Sequence, residues 1–377
     1  MLGCYTVNKD KINYVGNRIY KSFSDVSRHP FVQPSAKNLL KRYEDDKHFY
    51  HLHQIDNAIH EATIRYFNSI KAQWCNLPLT TKMISSPGEI YAGKKLNYTT
   101  DALPITVKWF DNEDIYLSES SQFYLELRLI LEKIPRVYSI YQSFRKEQAD
   151  FSHLSEFQHI EFEGKVSFEK NTQIFIGLIR EITNHLLDKY PKELSYYLTE
   201  EEIKELENSF NKENITTLSF KKAMSILYEN LGNNKYKNIS LKNFGSLEEV
   251  ALTRILNKHC LITEYPLEEI PFYHDLSFTD VNGKKYAKNA DFIFLGYREV
   301  VGSGQRITDP KAIKEKALYF NLPKDDYDIY INMRKSKNYK TTCGFGLGWQ
   351  RYTQWLLKMP FIWQLSHTPR GHFTPNP

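Results

Sequence analysis

The segments Arg136-Val137-Tyr138-Ser139-Ile140-Tyr141 and Phe157-Gln158-His159-Ile160-Glu161-Phe162-Glu163 decide the fold, because both have the alternating pattern of strands. Similar patterns recur at 105–109, 260–264 and 291–295. Long stretches of chain separate these strands, and charged residues lie on their faces. We therefore predict an antiparallel sheet flanked by helices, in the α+β class, rather than a doubly wound parallel sheet.

Helical patterns surround these strands. Apolar residues recur at near-helical spacing over 52–71 and 122–131, and Thr199-Glu200-Glu201-Glu202 forms a capping box ahead of an apolar run. Further helices are predicted over much of 164–260 and at 36–43, 310–321 and 349–358. We predict an arm over residues 1–50 and one main domain over 51–377, which includes a helical layer at about 164–250.

The composition of the 377-residue chain is that of a soluble globular protein, with 41% hydrophobic and 25% charged residues. No apolar run approaches the roughly 18 residues that cross a bilayer, and the chain start lacks a lipoprotein signal, so we expect a cytoplasmic protein without membrane contact. The 50 Lys and Arg residues exceed the 45 Asp and Glu residues by five, which permits but does not require a phosphate-bearing partner. Four scattered cysteines indicate neither a disulfide framework nor a metal site.

Two pairs of charged residues could carry chemistry. Arg145 and Glu147 stand two residues apart, as do Glu161 and Glu163, so each pair would share one face of a strand. Opposite charges would then meet across a hairpin. They would form either a surface ladder of ion pairs or the floor of a binding site for an anion, an amino group or a metal. Spacing alone leaves both interpretations open.

A glycine-rich stretch precedes the last predicted helix and reads Gly344-Phe345-Gly346-Leu347-Gly348-Trp349-Gln350-Arg351. It does not match a dinucleotide fingerprint, because the third glycine comes too early and no βαβ unit surrounds it. Small residues here allow either tight packing of helix on sheet or close approach of a ligand, with Arg351 one turn inside the helix. A second candidate, the histidines at 48, 51 and 53, lacks a partner at metal-site spacing, so we do not expect a metal there.

Taken together and in order, these segments resemble the three signature motifs of class II aminoacyl-tRNA synthetases, most closely the asparaginyl and aspartyl branch. The resemblance covers about residues 52–370. The helix and strand that end in Leu77-Pro78-Leu79-Thr80 resemble motif 1, residues 143–147 with 153–163 resemble motif 2, and residues 344–351 resemble motif 3. Two branch-specific segments, at 120–125 and 299–306, strengthen the resemblance.

The resemblance implies a site for ATP, Mg²⁺ and a small amino acid, either asparagine or aspartate. Arg145 would hold the α-phosphate and the amino-acid carboxylate, Arg351 the γ-phosphate, and Glu299 the magnesium ion. The other implied ATP ligands are Glu147, His153, Phe157 and Gly348, and the implied amino-acid pocket is lined by Ser120, Gln122, Glu161 and Arg334. The implied reaction is adenylation, in which a carboxylate attacks the α-phosphorus without a general base. A homodimer built on residues 55–80 is also implied.

The chain departs from the pattern of this branch in three places. Only some fifty residues precede the core, so we expect no anticodon-binding barrel. The motif 2 loop at 148–152 is a residue shorter and lacks the usual arginine before His153, which weakens the expectation of tRNA docking. Leu125 replaces the lysine with which aspartyl enzymes contact the substrate carboxylate, so asparagine is easier to accommodate, although Arg334 alone could hold aspartate.

Three functions remain open from the sequence. The main hypothesis is a free-standing adenylating enzyme that transfers the activated amino acid to ammonia, a peptide, a carrier or a small amine. The second hypothesis is a genuine asparagine or aspartate tRNA ligase. The third is a catalytically silent paralogue with a binding or regulatory role, and the presence of Arg145, Glu147, Glu299 and Arg351 argues against it.

Overall fold

The computed structural model describes residues 38–93, 103–111, 113–147 and 149–373, with only the backbone at 88–89, together with the backbone of three short strands at 5–8, 11–14 and 22–23. Most of the predicted arm at 1–50 and Gln148 of the motif 2 loop therefore lie outside the described residues. Within the described part, no helix is long and apolar enough to cross a membrane.

Helices occupy both the N-terminal part of the chain and its middle. They are α1 (Leu39–Asp45), α2 (Lys47–Ser69), α3 (Gly88–Ala92), α4 (Gln122–Arg128), α5 (Phe168–Lys189), α6 (Pro191–Tyr197), α7 (Glu200–Asn208), α8 (Phe220–Leu231), α9 (Ser246–Leu256), α10 (Pro310–Tyr319), α11 (Lys324–Asn332) and α12 (Trp349–Leu356). Helices α5 to α9 lie where the helical layer was predicted. The capping box at Thr199 and Glu202 is confirmed. Helix α2 begins earlier than predicted, because the Asp46 side chain accepts a hydrogen bond from the backbone N–H of His48.

The strands are β1 (Tyr5–Asn8), β2 (Lys11–Tyr14), β3 (Ser22–Phe23), β4 (Gln73–Trp74), β5 (Thr80–Thr81), β6 (Ile105–Lys108), β7 (Asp114–Leu117), β8 (Arg136–Phe144), β9 (Glu156–Gly164), β10 (Ile215–Ser219), β11 (His259–Thr263), β12 (Leu276–Thr279), β13 (Lys285–Ala287), β14 (Asn289–Ile293), β15 (Glu299–Gln305) and β16 (Cys343–Gly348). The main sheet has the order β10-β11-β14-β15-β16-β9-β8-β4. Its pairs are antiparallel except at the two ends, β10 with β11 and β4 with β8. The predicted α+β fold with an antiparallel sheet is confirmed.

One face of this sheet is covered by helices. The Phe67 ring of α2 stacks on Tyr138 of β8, with ring centroids 4.3 Å apart, and the Thr183 hydroxyl of α5 lies 2.9 Å from the hydroxyl of Tyr352 in α12. Alternate residues of the central strands point into this core, which includes Ile160, Phe162, Val301, Phe345 and Leu347. The residues between them therefore point to the opposite face, and there the cavities lie.

The cross-strand ladder of charges, one of the two interpretations that the sequence left open, does not form. Strand β8 ends at Phe144, so Arg145 and Glu147 lie in the loop beyond it. The register of the hairpin places Glu161 opposite Ser139 and Glu163 opposite Val137. Both glutamates are buried, which excludes a surface ladder.

Candidate active site

The floor of the site is made by three neighbouring strands, β9, β16 and β15. Glutamates of β9 lie beside glycines of β16, and those glycines lie beside glycines of β15. In β16, Gly344 pairs with Glu163 of β9, and Gly346 pairs with Glu161. The predicted glycine stretch is thus a strand that runs directly into helix α12, rather than a loop at the helix mouth. On its other side, Gly346 pairs with Gly302 of β15. Because these glycines have no side chains, the space above them stays open.

A first cavity of about 100 Å³ lies above one end of this floor. Its lining contains all the residues that the sequence predicted for ATP, namely Arg145, Glu147, His153, Phe157, Glu299, Gly348 and Arg351. The structure therefore brings together residues that are up to about 200 positions apart in the chain.

Two arginines give this first cavity its positive charge. The Arg145 guanidinium lies over the ring of Phe157, 5.3 Å from its centroid, and the Arg145 backbone N–H donates to the carbonyl of Ser155. Arg351 donates from Nη1 to the carbonyl of Glu299 at 3.0 Å. Burial, together with the nearby charges of Arg298 and Arg145, lowers the pKa of Arg351. An anion between these guanidinium groups would relieve their repulsion, so the cavity fits a polyphosphate.

A network of hydrogen bonds centred on Arg298 fixes His153. The sequence analysis did not identify Arg298 as a residue of the site. Arg298 donates to Glu249 at 2.8 Å, to the hydroxyl of Ser152 at 2.8 Å and to Nε2 of His153 at 3.1 Å. Because Nε2 accepts, the proton of this imidazole lies on Nδ1, which donates to Asp150 at 2.8 Å. The motif 2 loop is thereby tied to helix α9 and to the residue next to Glu299.

Two carboxylates converge where a divalent cation would meet the phosphates. A Cβ atom placed on Gly302 would lie 2.8 Å from Oε1 of Glu299 and 3.8 Å from Oδ1 of Asp291. Burial, and next the charge of Glu299, raise the pKa of Asp291 well above its usual range. Mg²⁺ is commonly held by one or two carboxylates and by substrate phosphates, so Glu299 and Asp291 fit this ion. The sequence identified Glu299 but treated Asp291 only as part of a strand.

A second cavity adjoins the first along the floor. Its lining includes the predicted amino-acid ligands Ser120, Gln122 and Glu161. Both cavities share the residues Arg145, His159, Glu299 and Gly346. A ligand in one cavity would therefore contact the same arginine as a ligand in the other.

Glu161 is the central acidic group of the second cavity. It accepts a hydrogen bond from the Ser120 hydroxyl at 2.6 Å. Burial raises the pKa of Glu161 to about 7, although Ser120, Tyr141 and two arginines favour its charged form. At this position a carboxylate can receive the ammonium group of an amino acid.

Arg334 does not line either cavity, which contradicts the sequence prediction. Its guanidinium is buried and pairs with Glu126 at 3.2 Å, and it also donates to the carbonyl of Ile307 at 2.9 Å. Besides Arg145, the arginine that lines the second cavity is Arg306, which is paired with the buried Glu163 at 2.8 Å. Nor does Leu125 face the cavity, since it packs in a separate apolar core around Leu129 and Val137.

His159 lies at the junction of the two cavities. Its Nδ1 is 2.8 Å from the hydroxyl of Ser143. Burial, and then the charges of Arg145 and Arg351, lower the pKa of His159 to about 3. This imidazole is therefore neutral at physiological pH and adds no charge to the junction. In the sequence, His159 stood out only as part of a predicted strand.

The comparison with known families agrees with this geometry. Residues 96–371, well over half of the chain, match the model of the class II tRNA synthetases (D, K and N). The chain therefore belongs to this family, and its catalytic core is of the asparaginyl and aspartyl branch.

Curated relatives are asparagine–tRNA ligases. A protein of Thermus thermophilus is 27% identical over 270 residues, which cover 70% of this chain and 59% of the relative. The protein of Thermococcus kodakarensis is 29% identical over 268 residues, with the same coverage of 70% and 59%. The chain thus spans about three fifths of the length of the curated relatives that it matches.

Solved structures share the fold. Asparaginyl-tRNA synthetase from Pyrococcus horikoshii, complexed with asparaginyl-adenylate, superposes with a TM-score of 0.74 over 90% of this chain and 73% of that chain, at 22% identity. Aspartyl-tRNA synthetase from Entamoeba histolytica gives a TM-score of 0.67 over 92% and 64%, at 18% identity. At these identities the likeness concerns the fold.

Proposed function

We propose that this chain uses ATP to activate asparagine or aspartate as an aminoacyl-adenylate, with release of pyrophosphate. The observation that carries the proposal is the junction of the two cavities. Arg145 and Glu299 line both of them, the arginines of the first cavity suit phosphates, and Glu161 of the second cavity suits an ammonium group. ATP and an amino acid that occupied the two cavities would meet at Arg145.

In the proposed reaction an oxygen of the amino-acid carboxylate forms a bond to the α-phosphorus of ATP. The bond from the α-phosphorus to the bridging oxygen of the β-phosphate breaks, and its electron pair leaves with pyrophosphate. Arg145 stabilises the charge on the α-phosphate, and Arg351 holds the γ-phosphate. Glu299 and Asp291 would hold Mg²⁺, which would supply further neutralisation of phosphate charge.

Direct detection of the adenylate tests this proposal. The full chain is incubated with ATP, Mg²⁺ and either asparagine or aspartate, quenched in acid and examined by mass spectrometry. We expect an aminoacyl-adenylate in an amount close to that of the protein, since the intermediate stays bound. Absence of an adenylate with both amino acids, while ATP binds, would contradict the proposal and leave either a different substrate or a silent paralogue.

We further propose that the acceptor is not an anticodon-read tRNA but ammonia, a peptide, a carrier or a small amine. The motif 2 loop supports this step, because its described part folds against the body of the protein. Ala149, Asp150 and Ser152 are buried, and Phe151 is fully buried. The backbone N–H of Ile362 also donates to the carbonyl of Phe151 at 2.8 Å. Little of this segment is left exposed to meet the acceptor end of a tRNA.

The alternative, a genuine asparagine or aspartate tRNA ligase, is favoured by the names of the curated relatives. AMP release separates the two functions. The adenylate-loaded protein receives ammonia, a mixture of small amines or bulk tRNA in parallel. Faster AMP release with an amine supports the main proposal, whereas faster release with tRNA alone supports the ligase.

A further inference from the structure

Part of the wall at one end of the second cavity is formed by Tyr273 and His274, in a segment outside the recognised motifs. Residues 273–275 run antiparallel to residues 305–307, and His274 faces Arg306 in this pairing. Backbone hydrogen bonds fix the segment, from Asp275 to Gln305 at 2.9 Å and from Ile307 to Tyr273 at 3.0 Å. His274 therefore has a fixed position relative to β15.

The imidazole of His274 occupies space that a side chain on β15 would fill. A Cβ atom placed on Gly304 would lie only 2.2 Å from Nδ1 of His274. His274 lines the second cavity together with Gln122 and Arg306. The glycine thus allows this imidazole to form the cavity wall.

Nδ1 of His274 is buried, and within the described residues it has no hydrogen-bond partner. The residue as a whole is 8% exposed. A buried polar atom without a partner costs folding free energy, so its presence in a cavity wall indicates a role in ligand binding. A ligand that fills this end of the cavity could satisfy the atom.

The electrostatics of this end favour a neutral ligand group. Burial, followed by the charges of Arg306 and Lys316, lowers the pKa of His274 well below its usual range, so the imidazole is neutral. Arg306 is already paired with Glu163 at 2.8 Å. A neutral imidazole offers one donor and one acceptor, which matches a carboxamide, whereas a carboxylate offers acceptors alone.

We infer that His274 is a specificity-determining residue, which reads the side-chain carboxamide of the amino-acid substrate and so selects asparagine over aspartate. This inference rests on the proposed function. In this arrangement the α-carboxylate of the substrate lies at Arg145, its ammonium group at Glu161 and its side chain at His274.

The test uses pyrophosphate exchange with asparagine and aspartate on the wild-type chain and on three variants. His274→Leu removes the polar atoms at similar volume, and His274→Asn retains a polar group near the position of Nδ1. Glu315→Gln is the matched control, because Glu315 lines a neighbouring cavity that His274 also borders, but does not line the second cavity. We expect His274→Leu to raise the KM for asparagine at least 10-fold and to lower the preference for asparagine by a similar factor. The KM for ATP should stay within twofold. His274→Asn should recover most of the loss, and Glu315→Gln should match the wild type.

Three other outcomes would each overturn the inference. An active wild type whose KM for asparagine is unchanged in His274→Leu overturns the inference and leaves adenylation intact. An active wild type that prefers aspartate overturns the assignment of a carboxamide. A wild type without exchange for either amino acid overturns the proposed function and the inference with it.

If His274→Leu does not fold, His274→Asn is compared with His274→Gln, whose amide lies near the position of Nε2 instead. The inference then requires a lower KM for asparagine in His274→Asn than in His274→Gln. Equal values in the two variants overturn it.

Discussion

Gly302 and Gly346 lie opposite each other on strands β15 and β16, and this pair of residues without side chains forms the floor of the second cavity. Gly346 also lines the first cavity. Two residues along the strands, on the same face of the sheet, Gly304 and Gly344 form a second pair of glycines. The glycines therefore create the space in which the two ligands would meet, and they need not all have the same role.

Alanine at Gly344 and alanine at Gly346 should have different effects. A Cβ atom on Gly344 would lie 1.9 Å from Glu163 and 2.5 Å from the carbonyl oxygen of Phe162, so the backbone must move. On Gly346 its nearest neighbour would be Oε1 of Glu161 at 3.4 Å, an ordinary contact. We expect Gly344→Ala to lower the free energy of unfolding by about 1–3 kcal/mol, as overpacking does. Gly346→Ala should keep its stability but raise the KM for ATP and for the amino acid. Equal loss of stability in both variants, measured by denaturant unfolding, would contradict this account.

Arg298 should act on ATP rather than on the amino acid. Its bonds to Glu249, Ser152 and His153 hold the wall of the first cavity, and it does not line the second. Arg298→Met should lower kcat/KM for ATP by about 10-fold, which corresponds to about 1.4 kcal/mol, and leave the KM for the amino acid unchanged. Because this change leaves Glu249 without its ion-pair partner Arg298, Glu249→Gln and the double variant complete a cycle. Their coupling in unfolding free energy should be about 0.5–3 kcal/mol. Strictly additive effects would show that Arg298 and Glu249 do not act together.

Binding of the amino acid should depend on pH through Glu161. Burial raises the pKa of Glu161 to about 7, so the carboxylate that would attract the ammonium group is lost as the pH falls below that value. We expect the KM for the amino acid to rise by about 10-fold per pH unit between pH 6.5 and 5.5. Glu161→Gln should have a high KM that does not change over this range.

Glu161 also affects the free energy of unfolding, and this effect has the opposite dependence on pH. The pKa of Glu161 in the folded state lies above its ordinary value of 4.5, so the folded protein binds more protons between pH 4.5 and 7. The contribution of Glu161 to the free energy of unfolding therefore falls as the pH rises through this window. A difference between the wild type and Glu161→Gln that does not change with pH would contradict the raised pKa.

The predicted dimer should depend on the edge of the main sheet. Strand β4 forms one end of the sheet, and Trp74 in it is 60% exposed. An exposed strand edge with an aromatic residue is a surface on which a second chain can pack. Trp74→Glu should convert a dimer into a monomer in analytical ultracentrifugation at micromolar concentration. Trp109→Glu is the control, because Trp109 is 81% exposed but lies outside residues 55–80. A wild-type chain that sediments as a monomer would refute the dimer.

The sequence predicted the antiparallel sheet and the lining of the first cavity, for reasons that the structure makes plain. Strands β8 and β9 carry residues whose alternation is visible without a partner strand. Arg145, Glu299 and Arg351 stand in short motifs whose local pattern is specific. Such residues can be assigned one at a time, because each stands at a fixed place in a motif that resembles a family motif.

Arg334, Arg306 and Asp291 could not be assigned in the same way. Arg334 and Arg306 are both buried arginines, and which one lines the cavity depends on their partners Glu126 and Glu163. Those partners are distant in the chain, so no local pattern distinguishes the two ion pairs. Asp291 reads as one polar residue in an apolar strand, and only its pairing with Gly302 brings it close to Glu299.

The most direct test of the account is amino-acid-dependent ATP–pyrophosphate exchange, measured with each of the twenty amino acids. Arg145→Ala is assayed beside the wild type, with the neighbouring, exposed Lys146→Ala as the control. We predict exchange with asparagine or aspartate, a loss of at least about 100-fold in Arg145→Ala, and wild-type rates in Lys146→Ala. Exchange with none of the twenty amino acids, or exchange that Arg145→Ala leaves unchanged, would contradict the claim that the two cavities form one adenylation site.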